Sequence, residues 1–205
     1  MKPLKKCTFL WILFFASFLF AYSEEGINIK VHAGVGVPKE DCLNTHIAAG
    51  FGLTIPLKKE LALSFDFGYR GVAAEEVSTE FYAGRIKLFP LQASLQFSPF
   101  RQKAIRPYVF LGGGYVFGSF AVTDIITIPE VTIHQDIKNG PFFQGGLGVD
   151  IAISGALGVF AEAISFHRKT TGVTTITDLN YGTSTQEFKL NLQAWIFQIG
   201  VRYFI

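Results

Sequence analysis

The stretch INIKVHAGVGV, residues 27–37, alternates between two kinds of side chain along its whole length. Its even-numbered positions are polar or glycine, and its odd-numbered positions are all aliphatic: Ile27, Ile29, Val31, Ala33, Val35 and Val37. A β-strand turns successive side chains to opposite faces, whereas an α-helix repeats every 3.6 residues. The stretch therefore predicts a strand with one apolar face and one polar or small face.

The same alternation recurs along the rest of the chain. We predict eight strands, at residues 27–37, 46–57, 61–70, 81–97, 107–119, 141–154, 157–167 and 188–205. An even count lets both chain ends finish on one side of a barrel. Two of these strands change the phase of their alternation, near Pro90 and near Ala194. We interpret both changes as β-bulges, because an extra residue re-aims the side chains that follow it.

The connections between the predicted strands differ in length on the two sides. Residues 58–60 and 154–156 are tight turns. The connections on the opposite side are longer: 38–45, 71–80, 121–140 and 168–187. Bacterial membrane barrels have short periplasmic turns and long outside loops, so we expect the long connections to face outward. Only 98–106 departs from this rule, since it is long where a short turn is expected.

The two faces of the strands indicate which side meets lipid. The apolar rows carry large side chains with aromatic rings toward their ends, such as Phe65, Phe67 and Tyr69. The opposite rows are too polar and too rich in glycine for the dry interior of a soluble β-sandwich or lipocalin-like barrel. The sequence therefore predicts an all-β fold, a closed antiparallel eight-stranded transmembrane β-barrel of up-and-down topology, in the outer membrane.

The first 23 residues have the layout of a cleavable secretory signal. Lys2, Lys5 and Lys6 precede an apolar run from Phe9 to Tyr22, which is shorter than a membrane-spanning helix needs. We predict a signal peptide at 1–23 and one barrel domain at 24–205. Loss of the three lysines lowers the formal charge from +2 to −1, so a basic balance gives no argument for nucleic acid.

Three stretches carry a resemblance to a known family. They are Leu88-Phe89-Pro90-Leu91 with Ile105-Arg106-Pro107-Tyr108-Val109 and Gly112-Gly113-Gly114-Tyr115, then Gly145-Gly146-Leu147-Gly148-Val149-Asp150, and last Ile199-Gly200-Val201-Arg202-Tyr203-Phe204-Ile205. Together they resemble the small OmpA-, OmpX- and OmpW-type outer-membrane proteins, and OmpW-like proteins most of all. The resemblance implies a monomer that contacts outer-membrane lipids and the outer-membrane assembly machinery. Family members usually end on Phe, whereas here Phe204 is penultimate.

OmpW-like proteins are associated with passage of small apolar molecules, so the resemblance implies a narrow channel or route of passage for such ligands. Eight strands leave an interior only just wide enough for side chains to fill. Strand phase places six charges there, and unpaired buried ions are costly, so we expect them to pair. They are Lys30, Asp66, Arg70, Asp150, Glu162 and Arg202. Two roles are possible for these charges: they form a gate, or they form a packed polar plug that only stabilises the fold.

The long connections offer two further hypotheses. The 121–140 connection contains Ile126 and Ile133 among several apolar residues. It is interpreted as a hairpin that prolongs two strands, or alternatively as the wall of an apolar funnel. The other loops suggest the alternative function, a non-conducting structural or adhesin-like barrel that contacts host surface molecules. Tyr181 lies near the tip of the Thr-rich 168–187 loop.

We predict no enzyme activity, metal or cofactor. Lipid A deacylases place a His two residues before a Ser on a late strand, but His167 is followed by Arg168-Lys169-Thr170. The match fails at the nucleophile. The histidines are scattered, and Cys42 is the one cysteine after the signal, so no ligand set for zinc is apparent.

Overall fold

The computed structural model describes residues 26–75, 83–100, 104–122 and 131–205 of the 205-residue chain. The predicted signal peptide at 1–23 lies outside the described residues, as does part of the predicted 71–80 loop. No helix within these ranges has the length and hydrophobicity needed to cross a membrane.

The described residues form eleven strands. They are β1 Asn28–Pro38, β2 His46–Pro56, β3 Leu61–Ala74, β4 Gly84–Phe97, β5 Ile105–Val122, β6 Val131–Ile137, β7 Gly140–Ala152, β8 Leu157–His167, β9 Lys169–Asp178, β10 Gly182–Asn191 and β11 Ala194–Phe204. Eight of them close a barrel in the order β1-β11-β8-β7-β5-β4-β3-β2. Every neighbouring pair is antiparallel, from β1 with β2 round to β11 with β1. The predicted eight-stranded up-and-down barrel is confirmed.

The two ends of the barrel differ. At one end, here called the turn end, residues 57–60 and 153–156 make tight turns and the described chain begins and finishes. The opposite end, here called the loop end, is where β1, β3 and β5 finish and where β9 and β10 project. Both predicted tight turns are therefore confirmed.

The alternation of side chains follows one rule around the barrel. In all eight barrel strands the even-numbered residues face the interior and the odd-numbered residues face out. The exterior carries an apolar band that includes Val31, Phe51, Leu111, Leu147 and Ile199. Such a surface suits lipid rather than water, because contiguous apolar area of this extent is costly to hydrate.

A second sheet stands at the loop end, with strand order β10-β9-β6. Strands β9 and β10 form a hairpin around Tyr181, where Asp178 accepts backbone hydrogen bonds from Asn180 and Tyr181 at 2.8 and 3.2 Å. The long connection predicted at 168–187 therefore contains a β-hairpin, and the prediction had assigned no strands to it. Its Thr and Val residues are β-branched and favour strands, and the hairpin buries Val173 and Thr174 partly or fully against neighbours.

The 121–140 connection differs in part from its prediction. Strand β6 prolongs β7, as a hairpin would require, but its partner in the sheet is β9 rather than β5. The hairpin interpretation is therefore wrong about the pairing. Ile133 lies in β6, half-buried and opposite Ile176, whereas Ile126 lies outside the described residues.

Neither predicted bulge exists. Strand β4 keeps one register with β5 across Pro90, and the β8–β11 and β9–β10 pairs share one register on either side of Ala194. The apparent phase changes arise because the interior becomes apolar toward the loop end. Ile86 and Leu88 are buried inside the barrel, so apolar residues occupy inward positions there.

The described part of the chain has its bulge elsewhere, between β6 and β7. Ile137 pairs with Gly172, and Phe143 pairs with His167. The step from Ile137 to Phe143 is six residues, whereas the step from Gly172 to His167 on the partner strands is five. The extra residue falls near Asn139, whose Oδ1 accepts a 2.8 Å hydrogen bond from the Gly118 amide. The bulge reverses the inward face, so odd-numbered Gln135 and Ile137 are buried in β6.

Candidate functional site

Five of the six charges that the sequence places inside the barrel form ion pairs near the turn end. Lys30 Nζ lies 2.8 Å from Asp66 Oδ1 and 3.8 Å from Glu162 Oε1. Arg202 Nη1 lies 2.7 Å from Asp150 Oδ2. All five residues are buried. Their role in a gate stays a prediction, but the structure places them together in the interior.

Glu162 is the centre of this group. Tyr108 donates a 2.6 Å hydrogen bond from its hydroxyl to Glu162 Oε1, and Gln198 donates from Nε2 to Glu162 Oε2. The guanidinium of Arg202 also lies over the rings of Tyr108 and Phe160, at 5.6 and 5.2 Å from their centroids. We call this set the ion-pair network: Lys30, Asp66, Tyr108, Asp150, Glu162, Gln198 and Arg202.

Two members of the network were not predicted as site residues, Tyr108 and Gln198. Both occupy even-numbered positions, so the alternation of their strands already marked them as inward. Their chemistry was less distinctive than that of a charge. Only the fold brings them to Glu162, which is 54 residues from Tyr108 and 36 from Gln198.

The network leaves little free space at the turn end. A cavity bordered by Tyr108, Asp150 and Arg202 has a volume of about 20 Å³, enough for roughly one water molecule. Buried ions that are paired and hydrogen-bonded keep a fixed geometry, since separating them would expose uncompensated charge. This arrangement can exclude ions from the turn-end half of the interior.

Toward the loop end the interior is apolar. Ile86, Val116 and Ile196 are fully buried, and the rings of Phe142 and Phe166 pack with centroids 4.9 Å apart. We call this set the apolar cluster: Leu43, Val72, Ile86, Leu88, Val116, Phe120, Ile137, Phe142, Phe166, Phe188, Leu190, Leu192 and Ile196. It borders the ion-pair network from the loop end.

Arg70 does not pair with a carboxylate, in contrast to its prediction. No salt bridge joins it to an acidic side chain among the described residues, and its Nη1 atom has no hydrogen-bond partner there. The reason is its position, four residues beyond Asp66 and so about 13 Å farther along β3 in the direction of the loop end. Its guanidinium instead lies 4.1 Å from the centroid of the Phe166 ring, within the apolar cluster.

The exterior of β8 carries a hydrogen-bonded Ser165 and His167, with Oγ and Nε2 2.7 Å apart. Residues two apart on a strand share a face, so this contact is an ordinary neighbour contact. Within the described ranges no hydrogen bond or ion pair joins a carboxylate to His167, as nucleophilic catalysis would need to orient the imidazole. Among these residues no group of three or more His, Cys, Asp or Glu is placed to hold a metal ion.

No family model matches the chain, and no curated protein matches it. Solved structures do match it along most of its length. Outer membrane protein OprG from Pseudomonas aeruginosa superposes with a TM-score of 0.67 at 15% identity, covering 90% of this chain and 98% of that one. Neisserial surface protein A superposes with a TM-score of 0.56 at 13% identity, covering 88% of this chain and 97% of that one. Escherichia coli outer membrane protein W superposes with a TM-score of 0.52 at 15% identity, covering 88% of this chain and 98% of that one.

These likenesses confirm, at the level of the fold, the resemblance that the sequence motifs carry. At such identities they bear on architecture and not on ligand or mechanism. The chain has the fold of the small eight-stranded outer-membrane β-barrel proteins.

Proposed function

We propose that the protein is an integral outer-membrane β-barrel that takes small apolar molecules into its interior from the loop end, with that end facing the outside of the cell. The observation that carries this proposal is the division of the interior. Apolar side chains predominate in its loop-end half, and the paired ions lie in its turn-end half.

An apolar interior at one end is unusual for a barrel whose outside already meets lipid. A purely structural barrel can fill its interior with polar side chains throughout. Apolar side chains such as Leu88 and Leu190 give an apolar guest a favourable surface, because its transfer from water is driven by the area removed from water.

The ion-pair network limits what can follow. An apolar molecule gains nothing from contact with buried ions and cannot replace their pairing. The network therefore opposes straight passage to the turn end, and it also opposes ion flow. In this proposal the barrel receives apolar molecules but does not act as an open water-filled pore.

The experiment is a methyl NMR titration of the refolded barrel in deuterated zwitterionic lipid, with octanol as the apolar probe. We expect octanol to shift the inward methyl signals of Ile86, Leu88 and Ile196. The outward methyls of Val31 and Ile47 report octanol that is merely dissolved in lipid, so they are the internal control. Shifts confined to the outward methyls would contradict the proposal.

A second candidate is a surface-interaction barrel. The observation in its favour is the tip of the β9–β10 hairpin, where Leu179 and Tyr181 are 78% and 92% exposed. Exposed apolar and aromatic side chains at a tip are typical of contact residues. Binding of cells or matrix proteins that is lost on replacing both residues with Ser, with octanol titration unchanged, would favour this candidate.

A further inference from the structure

Arg70 occupies an unusual place for a charged residue. It points into the barrel from β3, is 7% exposed and lies among apolar side chains on the loop-end side of the ion-pair network. Gly68 is the inward position between it and Asp66, so nothing on β3 itself bridges the gap. Its guanidinium lies 4.1 Å from the centroid of the Phe166 ring.

This placement is costly to the folded barrel. A buried ion without a partner loses its hydration, and a cation–π contact offsets only part of that loss. The guanidinium carries five N–H donors in a planar fork, and its Nη1 has no acceptor among the described residues. A charge held in this way is available to an acceptor that arrives from outside.

His46 provides a second, independent observation at the same place. It is 6% exposed, and its Nδ1 also has no hydrogen-bond partner within the described part of the chain. Arg70 and His46 border one cavity of about 10 Å³, whose other walls include Leu43, Val72, Leu88 and Leu192. Two polar side chains, each with one nitrogen atom that lacks a hydrogen-bond partner among the described residues, thus meet an apolar wall.

We propose that Arg70, assisted by His46, binds the carboxylate of an amphiphilic acid whose alkyl chain lies against the apolar cluster. This inference rests on the proposed function and narrows its ligand class from apolar molecules to amphiphilic acids. A planar guanidinium matches a carboxylate with two parallel hydrogen bonds, and the low-dielectric surroundings strengthen the attraction.

The size of the cavity shows how the ligand is accommodated. About 10 Å³ is the space that one water molecule needs, so it holds neither a whole carboxylate nor an alkyl chain. The chain therefore takes the space of apolar side chains that border the cavity. Leu43 and Leu192 are the most readily displaced, because both belong to connections, 39–45 and 192–193, rather than to barrel strands.

The test compares octanoate, octanol and chloride in the same methyl NMR titration. Octanoate and octanol share a chain length and differ in charge, while chloride carries charge without a chain. The variants are Arg70→Met, which removes the charge and keeps most of the length, and Lys87→Met as the matched control. Lys87 lies at the loop end on β4 but faces outward.

We expect the wild-type barrel to bind octanoate more tightly than octanol. Arg70→Met should weaken octanoate binding roughly tenfold or more, the loss of a charge-assisted hydrogen-bonded pair, and leave octanol binding unchanged. Lys87→Met should change neither. Removal of an unpaired buried charge should not lower stability, so Arg70→Met is expected to fold, as its heat-modifiable mobility in gels would show.

Four outcomes would overturn the inference. Octanoate bound equally well by wild type and Arg70→Met would remove Arg70 from the site. If the wild type bound octanol as tightly as octanoate, the proposed function would stand, but the inference that the ligand is an acid would be wrong. Chloride competing fully with octanoate at equal concentration would identify a site for small inorganic anions instead. If neither octanol nor octanoate moves the inward methyls, the proposed function fails with the inference.

Discussion

Lys30 and Asp66 form their 2.8 Å ion pair across Gly52. The three residues lie side by side, since Gly52 is the partner of Lys30 in the β1–β2 pair and of Asp66 in the β2–β3 pair. Tyr108 and Glu162 meet in the same way across Gly148. An inward glycine has no side chain, so long polar side chains on the two strands that flank it can reach each other across it.

Replacing Gly52 with Ala should destabilise the barrel. The new Cβ would meet the carboxylate of Asp66 and the backbone of Phe65, so the ion pair must shift. Overpacking of this kind costs about 1–3 kcal/mol. Urea unfolding in lipid vesicles measures the change. Gly118→Ala is the matched control, because its Cβ would meet Leu88 at an ordinary 3.4 Å, and a loss equal to that of Gly52→Ala would contradict the prediction.

Replacing Lys30 with Met should destabilise the barrel more strongly. Both Asp66 and Glu162 would lose a buried cationic partner, and breaking a buried pair from one side costs about 3–5 kcal/mol. The same unfolding experiment tests this, with Lys58→Met in the exposed turn as control. Adding Asp66→Asn to Lys30→Met should recover part of the loss. No recovery would show that the two residues are not coupled.

The refolded barrel should be silent in planar bilayers. The ion-pair network lies across the interior at the turn end, and the cavity that borders Arg202 there has the size of about one water molecule. Single-channel recording of residues 24–205 over a range of voltages checks this. Discrete, reproducible openings would contradict the packed network. Asp66→Ala is expected to impair folding without opening a path, and stable conductance from that variant would favour a gate.

Cys42 should react slowly with thiol reagents at neutral pH. Burial raises the pKa of its thiol, and the carboxylate of Glu40 raises it further, so the reactive thiolate forms only at higher pH than in a free cysteine. Its alkylation rate should therefore rise with pH over a range that lies higher than the range for a free cysteine. Maleimide kinetics between pH 6 and 10 measure this. Glu40→Gln should move the profile toward lower pH, and an unchanged profile would exclude the carboxylate as a cause.

The loop end should be the outward end in the cell. A membrane-impermeant maleimide applied to intact cells at raised pH is expected to label Cys42, which lies in the connection 39–45 at that end. Labelling only after the outer membrane is permeabilised would reverse the orientation. Lys58→Cys combined with Cys42→Ser, which moves the thiol to the exposed turn at the turn end, is the control and should be labelled only after the outer membrane is permeabilised.

The sequence by itself determined the strands and the faces of the barrel. Alternation is local, because each residue turns its side chain away from that of its neighbour, so even-numbered positions such as Lys30 and Glu162 were identified as inward without knowledge of their partners. The tight turns were likewise marked by short polar gaps between apolar rows. The Thr-rich β9 was missed because the same residues occur in exposed loops and in strands.

Only the tertiary structure decided which inward residues meet. Contacts between strands depend on the register of every pair around the closed sheet, and that register is set by partners far apart in sequence. It brings Lys30 to Asp66 across Gly52 and leaves Arg70, on the same strand as Asp66, beside Phe166 without an acidic partner among the described residues. The apparent phase changes at Pro90 and Ala194 were misread for the same reason, because the interior itself changes from polar to apolar along the barrel, a property of the assembled sheet.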